Sequence, residues 1–336
     1  MRRWLLLLAL LATSARAETF TDSAGRTVEL PAQVTKVLAA GPPASVMLYT
    51  LVPEKLMGWT RAPDAEALAY LPARFRGLPT QPRLTGRTPA DPVTIKGLGA
   101  SIIVDFGTVN PSYAEIADRT QAATGIPYVL IDGEIGKTPV AYEALARVVQ
   151  AGPRGAQLAT KSRALLDHVA QRLAGVALKR VYVARGPDGN ETYGAGGFTD
   201  EMMRATGAEN VAAGWGRGNL KDIAPDKVRD ANPDVVVATD PYFLDVVSRT
   251  AAWQQVPAVA AGRVVVAPRH PWGWIDEPPS VNRLVGVRWL AGVLHPDRLA
   301  GDLRAEVRDF FRVFYQADVT EAQLKALLAG AAPAKR

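Results

Sequence analysis

The 336-residue chain contains no cysteine and only three histidines. Without cysteine there can be no disulfide, thiolate metal site, cysteine nucleophile or lipid-modified cysteine. The histidines His168, His270 and His295 lie far apart in the sequence, whereas a zinc-type site normally needs three or four such ligands. We therefore expect no cofactor, no metal held by protein side chains alone and no lipid anchor.

Long apolar runs and a large charge surplus are also lacking. The run at residues 4–12 is shorter than the roughly 20 apolar residues that cross a membrane, and no later segment reaches that length. It follows Arg2 and Arg3 and precedes a small-x-small site at residues 15–17, which is the pattern of a cleavable secretory signal. We predict a periplasmic protein. Its net charge of +6 fits local basic patches better than nucleic-acid binding.

A helix-and-strand pattern occurs twice, at residues 92–104 and at residues 225–237. Each copy begins with a proline, which suits the first helical position, then breaks at glycine or Asn-Pro and ends in a β-branched run. Such a run is typical of a strand buried on both faces of a parallel sheet. The sequence thus predicts an α/β protein of two Rossmann-like lobes with mainly parallel sheets, and ligands often bind in a cleft between lobes.

One long amphipathic segment interrupts this alternation, and we interpret it as a single helix that joins the lobes. One packed helix is expected to limit closure of the lobes to small movements. The predicted organisation is a signal peptide at residues 1–17, an N-terminal lobe at 18–152, a linking helix at 153–175, a C-terminal lobe at 176–300, and C-terminal helices and a tail at 301–336.

Several segments of the second half resemble one protein family. Gly-Ala-Glu-Asn-Val at 207–211, Asn-Pro-Asp-Val-Val-Val at 232–237, Gly-Arg-Val-Val-Val-Ala-Pro at 262–268 and Thr-Glu-Ala-Gln-Leu at 320–324 carry the resemblance. They look like the solute-binding proteins of ABC importers for iron-siderophore complexes, haem and cobalamin. The resemblance implies the class III (helical-backbone) fold and a monomer that delivers a small-molecule ligand to a membrane permease with its cytoplasmic ATPase. Some members of the family bind molybdate or tungstate instead.

Candidate ligand contacts lie in the loops after the predicted strands, because ligands of α/β lobes sit beyond the carboxyl ends of parallel strands. Aromatic rings are enriched in pockets, and guanidinium groups bind carboxylates and oxyanions through paired hydrogen bonds. Arg87 is the strongest single candidate, because the family tends to place a ligand-facing side chain there. Each arginine has the alternative of a solvated surface position. The predicted contacts are Pro43, Trp59, Arg61, Arg87, Phe106, Arg185, Tyr193, Tyr242, His270, Trp272, Trp274 and Arg283.

The starts of two helices, at residues 41–44 and near Pro279, are expected to add backbone N–H donors for an anion. The resemblance further implies one acidic residue on each repeat helix that pairs with the permease. Asp226 occupies this position in the second copy, whereas the first copy has Val93, with Asp91 as the nearest substitute. A carboxylate in the first turn is also favoured by the helix dipole without any partner.

No segment resembles a nucleophile elbow, and the glycine run at residues 194–197 lacks the lysine and hydroxyl residue of a P-loop. We therefore expect a receptor without enzymatic activity. The favoured ligand is a metal chelate of the ferric siderophore type. Molybdate or tungstate is the alternative, and an exported enzyme that reuses the fold is a second one, because a fold does not select a ligand.

Overall fold

A computed structural model describes residues 18–86 and 89–330. The predicted signal peptide and Arg87 lie outside the described residues. Within the described ranges, no helix is both long enough and apolar enough to cross a membrane.

The first lobe is built on a parallel three-stranded sheet in the order β3-β4-β5, with a separate antiparallel hairpin of β1 and β2. The β-α-β alternation of the sequence also predicts a strand at residues 55–59. The structure has only one bridge there, between Leu56 and Val37, because the chain then turns at Gly58 and pairs Trp59 with Thr80. The elements are β1 (Thr19–Thr21), β2 (Thr27–Glu29), β3 (Val37–Ala39), α1 (Pro42–Leu51), α2 (Ala65–Leu68), α3 (Pro92–Gly97), β4 (Ile102–Gly107), α4 (Pro111–Thr124), β5 (Tyr128–Asp132) and α5 (Thr138–Val148).

Helix α6 (Pro153–Arg172) leads from the first lobe to the second. Gly152, with φ +58°, precedes it, and Pro153 occupies its first turn, where the missing N–H removes no hydrogen bond. One face of α6 is buried, including Leu158 and Val169, while the opposite face is polar. This helix lies where the sequence predicts the linking helix.

The second lobe contains a four-stranded parallel sheet in the order β11-β10-β6-β8 and a short antiparallel pair, β7 with β9. Both repeat strands are central in their sheets, β4 in the first lobe and β10 in the second, so the predicted α/β fold of two lobes is confirmed. The elements are β6 (Lys179–Ala184), β7 (Thr192–Tyr193), α7 (Phe198–Ala205), β8 (Ala208–Asn210), β9 (Asn219–Leu220), α8 (Pro225–Ala231), β10 (Val235–Ala238), α9 (Phe243–Arg249), α10 (Ala251–Gln254), α11 (Pro257–Ala260), β11 (Val264–Val266) and α12 (Asn282–Leu294).

The C-terminal segment returns to the first lobe. It comprises α13 (Leu303–Phe310), a π-helical turn (Phe311–Tyr315) and α14 (Glu321–Leu328). The ring of Tyr315 lies 5.9 Å from that of Tyr49 on α1, and Gln323 donates a hydrogen bond to the carbonyl oxygen of Ala69. One cluster of buried apolar residues extends from Phe20 to Leu327. The two lobes are therefore tied together by this segment as well as by α6.

Candidate functional site

The loops at the carboxyl ends of both parallel sheets line two adjoining cavities. The first, here called the arginine cavity, has a volume of about 370 Å³ and is bordered by Arg61, Arg83 and Arg185. The second, called the tryptophan cavity, has a volume of about 310 Å³ and is bordered by Trp272 and Trp274. Arg61, Asp276 and Glu277 line both cavities and so form the boundary between them.

The arginine cavity brings together arginines from both lobes, beside the carboxyl groups of Asp105, Asp276 and Glu277. Arg61 and Arg83 stand in loops of the first lobe and are exposed, while Arg185 follows β6 of the second lobe and is largely buried. Guanidinium groups present several donors in a fixed plane, which suits oxyanions and carboxylates. The arrangement can hold a compact anion between the lobes.

Arg185 is held in place by polar contacts. Its guanidinium lies 3.1 Å from Oε1 of Glu277, donates to Oδ1 of Asn219 at 2.9 Å, and covers the ring of Tyr193 at 4.2 Å. The Tyr193 hydroxyl donates to Asp276. Burial, with the nearby Asp276 carboxylate, raises the pKa of Tyr193, so this phenol stays neutral and remains a donor.

The wall contributed by the first lobe contains Pro43, Asp105, Phe106 and Tyr113. Asp105 belongs to β4 and is only 7% exposed. Burial raises the pKa of its carboxyl group to about 6, although a hydrogen bond from Tyr128 opposes the shift. A carboxyl group with this pKa can change its protonation state near neutral pH.

The start of α1 offers fewer backbone donors than the sequence suggested. Gly41 is the N-cap residue, and Pro42 and Pro43 occupy the first two helical positions. Proline has no N–H, so two of the donors that a helix normally leaves free at its N-terminus are missing. The start of α1 therefore offers the arginine cavity fewer main-chain donors than a helix start without prolines would.

Trp272, in the wall of the tryptophan cavity, belongs to a cluster of aromatic rings. The ring of Trp272 lies 4.8 Å from that of Trp59 and 6.0 Å from that of Tyr315. Trp274 is fully buried, and its indole N–H donates to the carbonyl oxygen of His270 at 3.2 Å. Both rings are thus fixed by packing, and Trp272 links this cavity to the core.

The structure brings some predicted contacts together and leaves others apart. Four line neither cavity: Trp59 is buried against Tyr49, Tyr242 is half exposed, His270 contacts Glu66, and Arg283 is buried. The sequence pattern placed them in loops at strand ends but did not reveal the neighbours that cover them. Seven border a cavity, namely Pro43, Arg61, Phe106, Arg185, Tyr193, Trp272 and Trp274.

The two predicted docking carboxylates have local partners. Asp91 is the N-cap of α3, and its Oδ1 accepts hydrogen bonds from the backbone N–H groups of Val93 and Thr94. Asp226, in the first turn of α8, lies 2.8 Å from Arg229. Val93 is 82% exposed. Both carboxylates therefore have local contacts at the start of a helix, which is the alternative role that needs no permease.

Five ionisable side chains that border the arginine cavity are not among the contacts predicted from the sequence. Arg83 lies in a proline-rich loop without periodicity, which gives no signal of the direction of its side chain. Asp276 and Glu277 stand directly before Pro278 and Pro279 in a tryptophan-rich loop. Their position beside this proline pair was the sequence signal that could have identified them. The five residues are Arg83, Asp105, Tyr113, Asp276 and Glu277. Across residues 18–86 and 89–330, no cluster of three acidic or histidine side chains forms a metal site.

The fold is that of the class III periplasmic binding proteins, so the resemblance inferred from the sequence is confirmed. Residues 138–271 match the family model described as periplasmic binding protein. An ABC transporter solute binding protein from Sulfurospirillum deleyianum superposes with a TM-score of 0.82 over 93% of this chain and 99% of that chain, at 24% sequence identity.

The molybdate-binding protein MolA of Haemophilus influenzae is similar in both sequence and structure. Its sequence is 32% identical over 180 residues, which are 52% of this chain and 50% of MolA, so the alignment spans half the length of that relative. The structure of MolA bound to molybdate superposes with a TM-score of 0.72 over 90% of this chain and 99% of that chain, at 22% identity.

Proposed function

We propose that the protein is the solute-binding component of an ABC importer and that its ligand is an oxyanion of the molybdate and tungstate class. The convergence of Arg61, Arg83 and Arg185 on one cavity carries this proposal. Guanidinium groups bind oxyanions through charged, paired hydrogen bonds. The sequence similarity to MolA supports the same ligand class.

The size of the arginine cavity favours a small ligand. Its volume of about 370 Å³ is near the lower end of small-molecule pockets. Phe106 and Tyr113 make part of its wall apolar, and charged hydrogen bonds are stronger beside an apolar wall than in bulk water. A tetrahedral dianion fits such a compartment without movement of the lobes.

A ferric siderophore-type chelate is the second candidate, and the adjoining tryptophan cavity favours it. Of the described residues, only Arg61, Asp276 and Glu277 border both cavities. The Arg61 side chain is exposed, so its rotation would open a larger compartment with aromatic residues at one end. Such a compartment suits a bulky chelate better than a single oxyanion.

The transport role has further parts. We propose that residues 1–17 direct export to the periplasm, that the protein acts there as a monomer without a lipid anchor or enzymatic activity, and that it docks on a permease served by a cytoplasmic ATPase. Asp226 is the favoured docking residue, with Asp91 as the second. Such rim charges set orientation and association rate more than affinity.

Isothermal titration calorimetry of the chain lacking residues 1–17 tests the ligand class. We expect molybdate and tungstate to bind with a Kd of about 1 μM or below, and sulfate and phosphate to bind more weakly. Ferric siderophores, haemin and cobalamin form the second panel. Binding of compounds from the second panel alone would favour the chelate receptor. No binding by any compound of either panel would contradict the proposed transport function.

Two variants connect the binding to the arginine cavity. Arg61→Gln and Arg83→Gln each remove an exposed charge that borders the cavity, so we expect roughly tenfold or greater weakening of oxyanion binding, since charged hydrogen bonds are strong. Arg312→Gln is the matched control, because Arg312 is exposed and pairs with Asp309 on the C-terminal segment. Equal affinities in all three variants would remove the cavity from the proposal.

A further inference from the structure

Among the residues that the structure describes, Asp105 is the one acidic side chain in the wall of the arginine cavity contributed by the first lobe. It lies in β4 and is 7% exposed. Its carboxylate accepts a hydrogen bond from the Tyr128 hydroxyl at 3.3 Å. In the described part of the chain, no lysine, arginine or histidine nitrogen forms an ion pair with it, whereas Asp276 and Glu277 both face Arg185.

The groups that face Asp105 come from several elements. Tyr128 approaches from β5 and Tyr113 from α4, and burial together with the Asp105 charge raises the pKa of both phenols. Arg83 acts on Tyr113 from the loop before α3, and Arg26 acts on Tyr128 from β1–β2. Both phenols therefore remain neutral, and the carboxyl group is the part of this wall that titrates near neutral pH.

A buried carboxylate without a cationic partner opposes the entry of an oxyanion. Two like charges in a compartment of low dielectric constant repel strongly, and the usual relief is protonation of one of them. Molybdate-class dianions carry no proton at neutral pH that they could donate to Asp105. A protonated Asp105, in contrast, offers an O–H donor to an oxyanion oxygen.

We propose that Asp105 is a specificity-determining residue that takes up one proton from solvent when the oxyanion binds and then donates a hydrogen bond to it. This inference rests on the proposed function. One O–H bond forms on Asp105, one bond to hydrogen breaks in the hydronium ion or buffer acid that supplies the proton, and no bond changes in the ligand. Ligands with an oxygen that accepts this hydrogen bond are selected, and binding becomes linked to pH.

Calorimetry with tungstate tests the proton uptake in the unaltered protein. Titrations in two buffers with different ionisation enthalpies, at about pH 8, should report uptake of roughly one proton per bound anion, and the Kd should rise by up to about tenfold per pH unit above the pKa of Asp105. Because this measurement needs no variant, it stands even if a substitution impairs folding. Binding without proton uptake would overturn the inference and leave the proposed function standing.

The variant Asp105→Asn distinguishes this role from simple disruption of the site, because disruption would weaken tungstate binding. It keeps the shape of the side chain, removes the charge and supplies an N–H donor, so we expect tighter tungstate binding at about pH 8, no proton uptake and a Kd that no longer follows pH. Asp132→Asn is the matched control. Asp132 lies beside β4, where it pairs with Gly107 across the sheet, and unlike Asp105 its carboxylate contacts a cation, Lys137. Weaker binding by Asp105→Asn, or an unchanged pH slope, would refute the role. Absence of tungstate binding by the unaltered protein would refute the proposed function itself.

Discussion

Arg283, at the start of α12, donates a hydrogen bond to the carbonyl oxygen of Gly133, which directly follows β5 in the other lobe. Its Nη1 lies 3.7 Å from the carboxylate of Glu201 on α7, and Glu201 in turn accepts a hydrogen bond from the backbone N–H of Ile135. Burial lowers the pKa of Arg283 to about 10, so the guanidinium stays charged at neutral pH. A buried charged contact therefore joins the two lobes.

Replacing Arg283 by methionine is expected to destabilise the protein. The change removes the hydrogen bond that the guanidinium donates to Gly133 in the other lobe and the cation 3.7 Å from the partly exposed Glu201. Losing a hydrogen bond from a charged donor costs about 2 kcal/mol in free energy of unfolding. Urea unfolding measures the loss. Arg312→Met is the control, because exposed pairs such as Arg312 with Asp309 contribute little. Equal midpoints for both variants would show that the contact between the lobes is not stabilising.

Asp105 should impose a pH dependence on stability in the absence of ligand. Its pKa is about 6 in the folded protein and about 3.9 in an unfolded chain. Between these values the folded protein binds more protons, so the free energy of unfolding falls as the pH rises from about 4 to about 6, by up to roughly 3 kcal/mol. Below this range the contribution of Asp105 is neutral, and above it the full penalty is present.

Asp105→Asn removes that penalty. We expect the stability of the variant relative to the unaltered protein to increase by roughly 2 kcal/mol between about pH 4.5 and pH 7. Urea unfolding at several pH values measures this difference, which cancels the titration of other carboxylates common to both proteins. Parallel stability curves would show that burial does not perturb Asp105.

Trp272 is expected to report ligand binding by fluorescence. It borders the tryptophan cavity and is coupled to Trp59 and Tyr315 by ring contacts. The ligand-induced change in emission should shrink in Trp272→Phe and persist in Trp253→Phe. Trp253 is equally buried but packs against Tyr182 and Phe243 in the separate core of the second lobe. A signal lost only in Trp253→Phe would place the conformational response outside the cleft.

The two candidate docking carboxylates should differ in importance. Asn caps a helix as well as Asp does, so Asp91→Asn keeps the start of α3 intact while it removes the charge. We expect this variant to stimulate the reconstituted importer normally. Asp226→Asn should stimulate it less, with the defect relieved at high protein concentration because rim charges act mainly on association rate. A defect in Asp91→Asn alone would reverse the assignment.

Local sequence patterns predicted the elements of the fold well. Gly152 and Pro153 marked the start of α6, and the two repeat copies marked α3 with β4 and α8 with β10. These features depend on residues close together in the chain, where proline, glycine and β-branched runs act directly on the backbone. The return of the C-terminal segment to the first lobe had no such local signal.

The site was predicted less well because its contacts join distant parts of the chain. Arg283 was expected at the ligand, yet its partner Gly133 stands 150 residues earlier. His270 was expected there too, yet it contacts Glu66 on α2. The position of a loop directly after a strand predicts the sheet edge at which the loop lies. It does not predict which residues of the opposite lobe cover the side chains of that loop.

The paired prolines at the start of α1 have a consequence for protein engineering. When a cleft binds anions through main-chain amides, its ligand preference depends on the backbone, and side-chain substitutions change that preference little. Here Pro42 and Pro43 remove two of those amides at the start of α1, and the oxyanion recognition proposed above rests more on individual arginine and acidic side chains. The ligand preference of this cleft should therefore be open to redesign one residue at a time, with the scaffold left unchanged.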